Sequence, residues 1–116
     1  MHETWTLPTI TADDAVDALR LGRRALIDVR KPEARQRDGR RIAEATWIDP
    51  QSLDHRHPLT AADAPVAVFC VHGHEVSHFA CALLLVHGRD ARLVTGGFEA
   101  LVAAGAPLSP LLINDA

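Results

Sequence analysis

The chain has 116 residues, of which 47% are hydrophobic and 23% charged, and its formal net charge is -3. This length and balance predict one domain with a single core and argue against an intrinsically disordered chain. With twelve basic and fifteen acidic residues, the chain lacks the excess of positive charge that binds nucleic acid or an anionic membrane. Aromatic residues make up 4% of the chain, which is too few for a surface that stacks on bases.

The N-terminus, the longest apolar run and the cysteines bear on where the protein is located in the cell. The N-terminus lacks a basic region followed by an apolar stretch, so no signal peptide is expected. The longest mostly apolar run, residues 79–86, is too short to span a bilayer. Cys70 and Cys81 are poorly spaced for a disulfide, because the second falls inside a predicted helix. A reduced, cytoplasmic setting is therefore expected.

The first part of the chain predicts two strands, each followed by a helix. A short strand at residues 5–7 precedes a helix that begins after the N-cap Thr11 and ends at Gly22. Residues 25–29 read as a buried strand. A short helix then opens at residues 31–35, with a proline in its first turn.

The middle of the chain carries weaker signals. The segment 35–41 is strongly basic and is expected to be exposed. A short strand at residues 46–48 leads into a proline-containing loop, 49–64, which has room for one helical turn.

The last part of the chain returns to alternating strands and helices. A strand at 66–69 precedes a helix at 75–87, and a strand at 91–94 precedes a helix at 98–104. The alternation predicts an α/β fold, with a mostly parallel central sheet of about five strands and helices on both faces. We expect one domain over residues 1–116, with a core of about 5–108.

Cys70 ends the strand at 66–69, and a short loop containing Gly73 separates it from the next helix. Sites in parallel sheets lie at the carboxyl ends of strands. A thiol placed there meets the unpaired amides of a helix N-terminus and of the loop, which stabilise a thiolate. The pattern therefore predicts a reactive Cys70. The alternative is a buried structural cysteine.

Five short motifs, in this order, resemble those of the rhodanese (sulfurtransferase) family. They are LIDVRKPE at 26–33, RIAEATWI at 41–48, VAVFCVHG at 66–73, LVTGGF at 93–98 and AGAPL at 104–108. Each motif is weak alone, but the set covers nearly the whole chain, which therefore resembles a single rhodanese domain.

This resemblance implies a sulfur-transfer mechanism. The Cys70 thiolate would attack a small sulfane-sulfur donor and become a persulfide, which a thiol or protein acceptor then discharges. This covalent chemistry needs no metal and no organic cofactor. The loop that cradles the terminal sulfur would comprise Val71, His72, Gly73, His74 and Glu75.

The chain departs from the family pattern at Glu75. Many rhodaneses have an arginine five residues after the cysteine, where it helps to bind anionic thiosulfate. A carboxylate at that place would repel a dianionic donor, unless it points outward as an ordinary first-turn acid. We therefore expect a persulfide or polysulfide donor in preference to thiosulfate.

Other polar residues near the loop have two interpretations each. His72 and His74 either donate a hydrogen bond to a bound anion or persulfide, or face solvent. Asp28 and Arg30 are expected to support the site by pinning the carboxyl edge of the sheet. Arg30 or Arg35 is also a candidate source of the missing positive charge.

Two glycines and a tryptophan complete the expected surroundings. Gly96 and Gly97 are expected to form a turn close to the Cys70 loop. Trp47 is expected in the core or in the pocket wall.

The histidines and Cys81 raise the alternative of a metal site. His74, His78 and Cys81 would share one helical face, and His55 and His57 could fold over it. Structural zinc sites usually show paired ligands on two elements, and only His74 and His78 have such spacing. We predict no metal.

Two other functions are alternatives to sulfur transfer. A related phosphatase chemistry needs an arginine six residues after the cysteine, and Val76 stands there, so this chemistry is rejected. The alternative to an enzyme is a catalytically weak rhodanese module that acts as a binding or regulatory domain, with a link to metal or oxyanion stress.

Overall fold

The computed structural model describes residues 7–61, 63–72 and 75–112, and for Ala61 and Glu75 it describes the backbone alone. The described part of the chain starts with strand β1 (Thr9–Ile10), helix α1 (Ala12–Arg20), strand β2 (Ala25–Asp28), helix α2 (Pro32–Asp38), strand β3 (Arg40–Ile42) and strand β4 (Thr46–Trp47). Two 3₁₀ turns follow at Pro50–Ser52 and Pro58–Ala61. The remaining elements are strand β5 (Val66–Phe69), helix α3 (Glu75–Val86), strand β6 (Ala91–Val94), helix α4 (Gly97–Ala103) and strand β7 (Leu108–Pro110).

Five strands form one sheet in the order β1-β6-β5-β2-β4, and each neighbouring pair is parallel. Parallel pairing requires long crossover connections, which the helices and the proline-containing loop provide. The predicted α/β class and the parallel sheet are therefore confirmed.

The sheet separates two clusters of buried side chains. On β5, Val66 and Val68 join the cluster that contains α3, while Ala67 and Phe69 join the cluster that contains α1 and α4. Successive side chains of a strand point to opposite faces, so a strand covered on both sides must be apolar throughout. All four residues of β5 are buried. Helices cover both faces, as expected.

Helix α1 follows its sequence signals closely. The Thr11 side chain accepts a hydrogen bond from the Asp14 backbone N–H at 3.1 Å, as an N-cap should. Ala15 and Val16 face the core and are buried. The cap and the apolar spacing together explain why this helix was predictable.

Two regions differ from the prediction. The first strand of the described chain is Thr9–Ile10 rather than 5–7; Trp5 and Thr6 lie outside the described residues, and Leu7 is not in a strand. The basic segment is also only partly exposed, because Arg35 is buried with its guanidinium over the ring of Trp47, 4.4 Å from the centroid.

A small second sheet was not predicted. Strand β3 pairs antiparallel with β7, placing Arg41 opposite Ser109. Neither strand has an apolar alternation that would mark it. Among the residues described, no helix has both the length and the apolar character needed to cross a membrane.

Candidate active site

Cys70 lies directly after β5, at the carboxyl edge of the sheet. The parallel register sets Asp28 beside Phe69, so the ends of β2 and β5 emerge together. The Phe98 backbone N–H donates to the Cys70 carbonyl at 2.7 Å, and this fixes the first turn of the loop against α4. The residue is 7% exposed.

A buried ion pair supports this edge. The Arg30 Nη2 lies 2.9 Å from Asp28 Oδ2, and the Arg30 Nε lies 3.1 Å from each carboxylate oxygen. Both residues are 1% exposed. The Arg30 Nη2 also donates to the Arg40 carbonyl at 2.9 Å. Asp28 and Arg30 thus join the end of β2 to the small second sheet.

Arg30 also reaches the turn that contacts Cys70. Its Cζ lies 4.1 Å from the centroid of the Phe98 ring, a cation–π geometry. Phe98 follows Gly96 and Gly97, whose φ angles are +82° and +64°. A Cβ on Gly96 would lie 2.7 Å from the Ala100 Cβ, so this turn excludes a side chain there. The expected approach of the glycine turn to the Cys70 loop is observed.

A hydroxyl group faces the thiol. The Cys70 Sγ and the Ser77 Oγ are 3.2 Å apart, within hydrogen-bonding distance for sulfur. Ser77 lies in the first turn of α3 and is 0% exposed. The sequence alone does not single out Ser77, because this residue lies in a mostly apolar helix. The available signal was a single small hydroxyl on that helix, since a buried hydroxyl needs a partner.

The thiol borders a cleft between the Cys70 loop and the start of α2. The cleft has a volume of about 410 Å³ and is lined by Arg30, Lys31, Ala34, Cys70, Val71, His72 and Val76. An adjoining cavity of about 540 Å³ extends past Arg37, Asp38 and Phe98. Lys31 is exposed, and it is the only lysine in the sequence. The lining of the cleft therefore includes an exposed cation.

The predicted loop residues are only partly described. Val71 is half-buried and His72 exposed, and both line the cleft with Cys70. Gly73 and His74 lie outside the described residues. The backbone of Glu75 begins α3. Of the two arginines proposed to supply charge, Arg30 lines the cleft and Arg35 does not.

The histidines and Cys81 are arranged differently from the metal hypothesis. His78 is exposed whereas Cys81 is fully buried, so they do not present one ligand face. His55 Nδ1 lies 2.8 Å from His87 Nε2, at the far end of α3 from Cys70. Within the described ranges, no three histidine, cysteine, aspartate or glutamate side chains cluster as metal ligands.

The two cysteines have different environments. They are not joined in a disulfide, and both side chains are buried. Burial raises the pKa of the Cys81 thiol from 9.0 to about 11. Cys81 lies on the inner face of α3, in the apolar core cluster. Of the two cysteines, only Cys70 borders the cleft.

Solved structures provide independent comparisons. A rhodanese-related protein from Thermoplasma volcanium is 26% identical, with a TM-score of 0.71 over 88% of this chain and 97% of that one. A thiosulfate sulfurtransferase from Pseudomonas aeruginosa is 22% identical, with a TM-score of 0.73 over 95% of this chain and 21% of that one. A Rhodopseudomonas palustris protein of unknown function, described as a possible tyrosine phosphatase, is 22% identical. Its TM-score is 0.72, over 94% of this chain and 99% of that one.

At these identities, the second and third of these structures support the fold alone. A search of curated proteins finds no match. The family model described as Rhodanese-like domain matches residues 11–104, which include the Asp28–Arg30 pair, Cys70 and the Gly96–Gly97 turn. The chain therefore belongs to the rhodanese-like domain family.

Proposed function

We propose that this domain is a sulfurtransferase that carries sulfane sulfur as a persulfide on Cys70. The observation that carries the proposal is the position of this thiol, at the carboxyl end of a central strand, before α3 and beside an open cleft. Amides at a helix N-terminus favour the thiolate over the thiol. Family membership supports the same reaction, because members of this family often transfer sulfur.

The proposed reaction has two displacements. In the first, the Cys70 thiolate attacks the sulfane sulfur of a donor, the donor's sulfur–sulfur bond breaks, and the donor leaves as a thiolate. In the second, an acceptor thiolate attacks the terminal sulfur of the persulfide. The bond to the Cys70 Sγ then breaks, and its electron pair returns to that sulfur. No metal or organic cofactor takes part.

The charges around the cleft bear on the donor. The Arg30 charge is compensated by the Asp28 carboxylate at 2.9 Å, and Glu75 stands where many relatives have an arginine. Lys31 remains as an exposed cation on the cleft. One flexible cation at the rim suits a donor with a distant carboxylate better than a compact dianion. We propose a persulfide or polysulfide donor in preference to thiosulfate.

The acceptor is proposed to be a thiol, either small or on a protein. The cleft adjoins a second opening lined partly by Val76 and Phe79, and Phe79 is 59% exposed. A cytoplasmic location, proposed from the sequence, would supply such thiols in reduced form.

Intact-mass spectrometry tests the proposal directly. The protein is incubated separately with glutathione persulfide and with thiosulfate, and one added sulfur atom is expected, mostly with the first donor. Cys70→Ser should abolish the added mass, whereas the matched variant Cys81→Ala should retain it. If no donor adds sulfur to the folded wild type, the binding-module alternative is favoured instead.

A further inference from the structure

Ser77 places a hydroxyl group in a fully buried position on α3. The residue is 0% exposed in the first turn of α3, and its inward neighbours Ala80, Cys81 and Leu84 are also buried. A hydroxyl taken out of water must find a hydrogen-bond partner or destabilise the fold. The Ser77 Oγ lies 3.2 Å from the Cys70 Sγ. An alanine would fill nearly the same space without this polar contact.

We propose that Ser77 is a further catalytic residue, whose hydroxyl donates a hydrogen bond to the Cys70 thiolate during sulfur transfer. The inference rests on the sulfurtransferase function proposed above. A thiolate has no proton to give, so the hydroxyl is the donor when Cys70 is ionised. Hydrogen bonds to ionised groups are stronger than neutral ones, and they are stronger still where water is excluded.

The hydrogen bond acts on both displacements. In the first, Cys70 is the nucleophile, and stabilising its thiolate increases the reactive fraction at low pH. In the second, Cys70 is the leaving group, and the same contact stabilises the thiolate that forms as the persulfide bond breaks. A better-stabilised thiolate leaves faster. Ser77 keeps its proton in both steps and takes no part in proton transfer.

Alkylation of Cys70 by neutral iodoacetamide, followed from pH 5 to 10 at the peptide level, tests the contact without any sulfur donor. In Ser77→Ala, the midpoint of the rate profile should rise by about one unit or more, because a hydrogen bond to a charged group is lost. Below the midpoint the variant should react more slowly, and on the high-pH plateau about threefold faster, since a more basic thiolate is the better nucleophile. A merely structural role would not make the two profiles cross.

Discharge of preformed persulfide by dithiothreitol tests the second displacement. Ser77→Ala should slow it by about threefold or more, because the leaving thiolate is less stable. Thr60→Val is the control. Thr60 is buried, and its hydroxyl donates a hydrogen bond to the His57 carbonyl at 2.7 Å. This control should lower stability without moving the alkylation midpoint.

Two outcomes would overturn the inference. One is a folded Ser77→Ala protein with the wild-type midpoint, and the other is a wild-type discharge rate in that variant. If Ser77→Ala does not fold, Ser77→Thr and Ser77→Val are compared with each other. The two side chains have nearly the same shape, and valine has a methyl group where threonine has the hydroxyl. The valine variant should then show the higher midpoint. If the wild type forms no persulfide, the proposed function fails, yet the alkylation profiles still decide whether Ser77 stabilises the thiolate.

Discussion

The Arg30 guanidinium lies over the Phe98 ring, with its Cζ 4.1 Å from the ring centroid. This contact joins the end of β2 to the turn whose Phe98 N–H holds the Cys70 carbonyl at 2.7 Å. The buried carboxylate of Asp28 fixes the guanidinium from the other side. Arg30 therefore connects the sheet edge with the backbone that carries the thiol.

Replacing Arg30 should destabilise the protein strongly. Arg30→Met leaves the Asp28 carboxylate buried without its partner, and breaking such a pair typically costs about 3–5 kcal/mol. The double variant Asp28→Asn/Arg30→Met should recover part of this loss, because it removes the orphaned charge. Urea denaturation gives the free energies of unfolding.

Asp38 and Arg40 provide a matched control for that pair. They have the same spacing and a similar two-point geometry, with bonds of 2.8 and 3.0 Å, but Arg40 is 41% exposed. The hydrogen bond from Arg40 lowers the pKa of the Asp38 carboxyl. Asp38→Asn should nevertheless cost about 1 kcal/mol or less, since solvent screens exposed pairs. An equal loss in the free energy of unfolding at the two pairs would contradict the expectation that the buried pair matters more for stability.

The two thiols should differ in reactivity. At neutral pH, iodoacetamide should modify Cys70, which borders the cleft, and leave Cys81 unmodified, because burial raises the pKa of the Cys81 thiol to about 11. Peptide mass spectrometry after brief labelling measures both sites. Protein unfolded in guanidinium should be labelled at both, which shows that each peptide is detectable. Equal labelling in the folded state would count against the assigned roles.

Glu75 should disfavour a dianionic donor. Glu75→Arg should raise kcat/KM for thiosulfate by about three- to tenfold, an effect of the size expected between nearby charges. It should change the rate with a neutral persulfide donor much less. Asp13→Arg is the control, because Asp13 is an exposed acid in the first turn of a different helix, α1. An equal gain for both donors would argue against a charge effect.

Lys31 should contribute to binding of an anionic donor. Lys31→Glu should raise KM for glutathione persulfide about threefold or more at low ionic strength, and added salt should reduce the difference. A neutral donor should be unaffected. Arg23→Glu makes the same charge change at an exposed position that does not line the cleft. If both variants raise KM equally, Lys31 has no specific role.

Cys81 should make the protein sensitive to alkali. Burial raises the pKa of the folded-state thiol from 9.0 to about 11, so the protonated form favours folding. This contribution is complete below the pKa of the unfolded thiol and is lost as the pH rises toward about 11. The difference in the free energy of unfolding between wild type and Cys81→Ala should therefore shrink as the pH rises from 9.0 to about 11. The expected decrease is on the order of 1–3 kcal/mol. A difference independent of pH would exclude this linkage.

Much of the fold followed from local patterns. Strand β5 is a continuous apolar run because both faces of the sheet are covered, and β2 and β6 are apolar apart from Asp28 and the exposed Arg92. Helix α1 is marked by its Thr11 cap. The pairing of β3 with β7 was missed. It joins segments about seventy residues apart, and their arginines and prolines show no strand periodicity.

The sequence by itself determined that a cysteine would stand at the carboxyl edge of a parallel sheet, because strand, loop and helix signals are local to residues 66–87. It also placed Asp28 and Arg30 at that edge. Only the tertiary structure decided what those groups touch. The Ser77 hydroxyl meets the Cys70 sulfur, and Arg30 meets Phe98, because a loop and two chain crossovers bring them together. Such distances depend on how the elements pack, and residue spacing along the chain does not specify them.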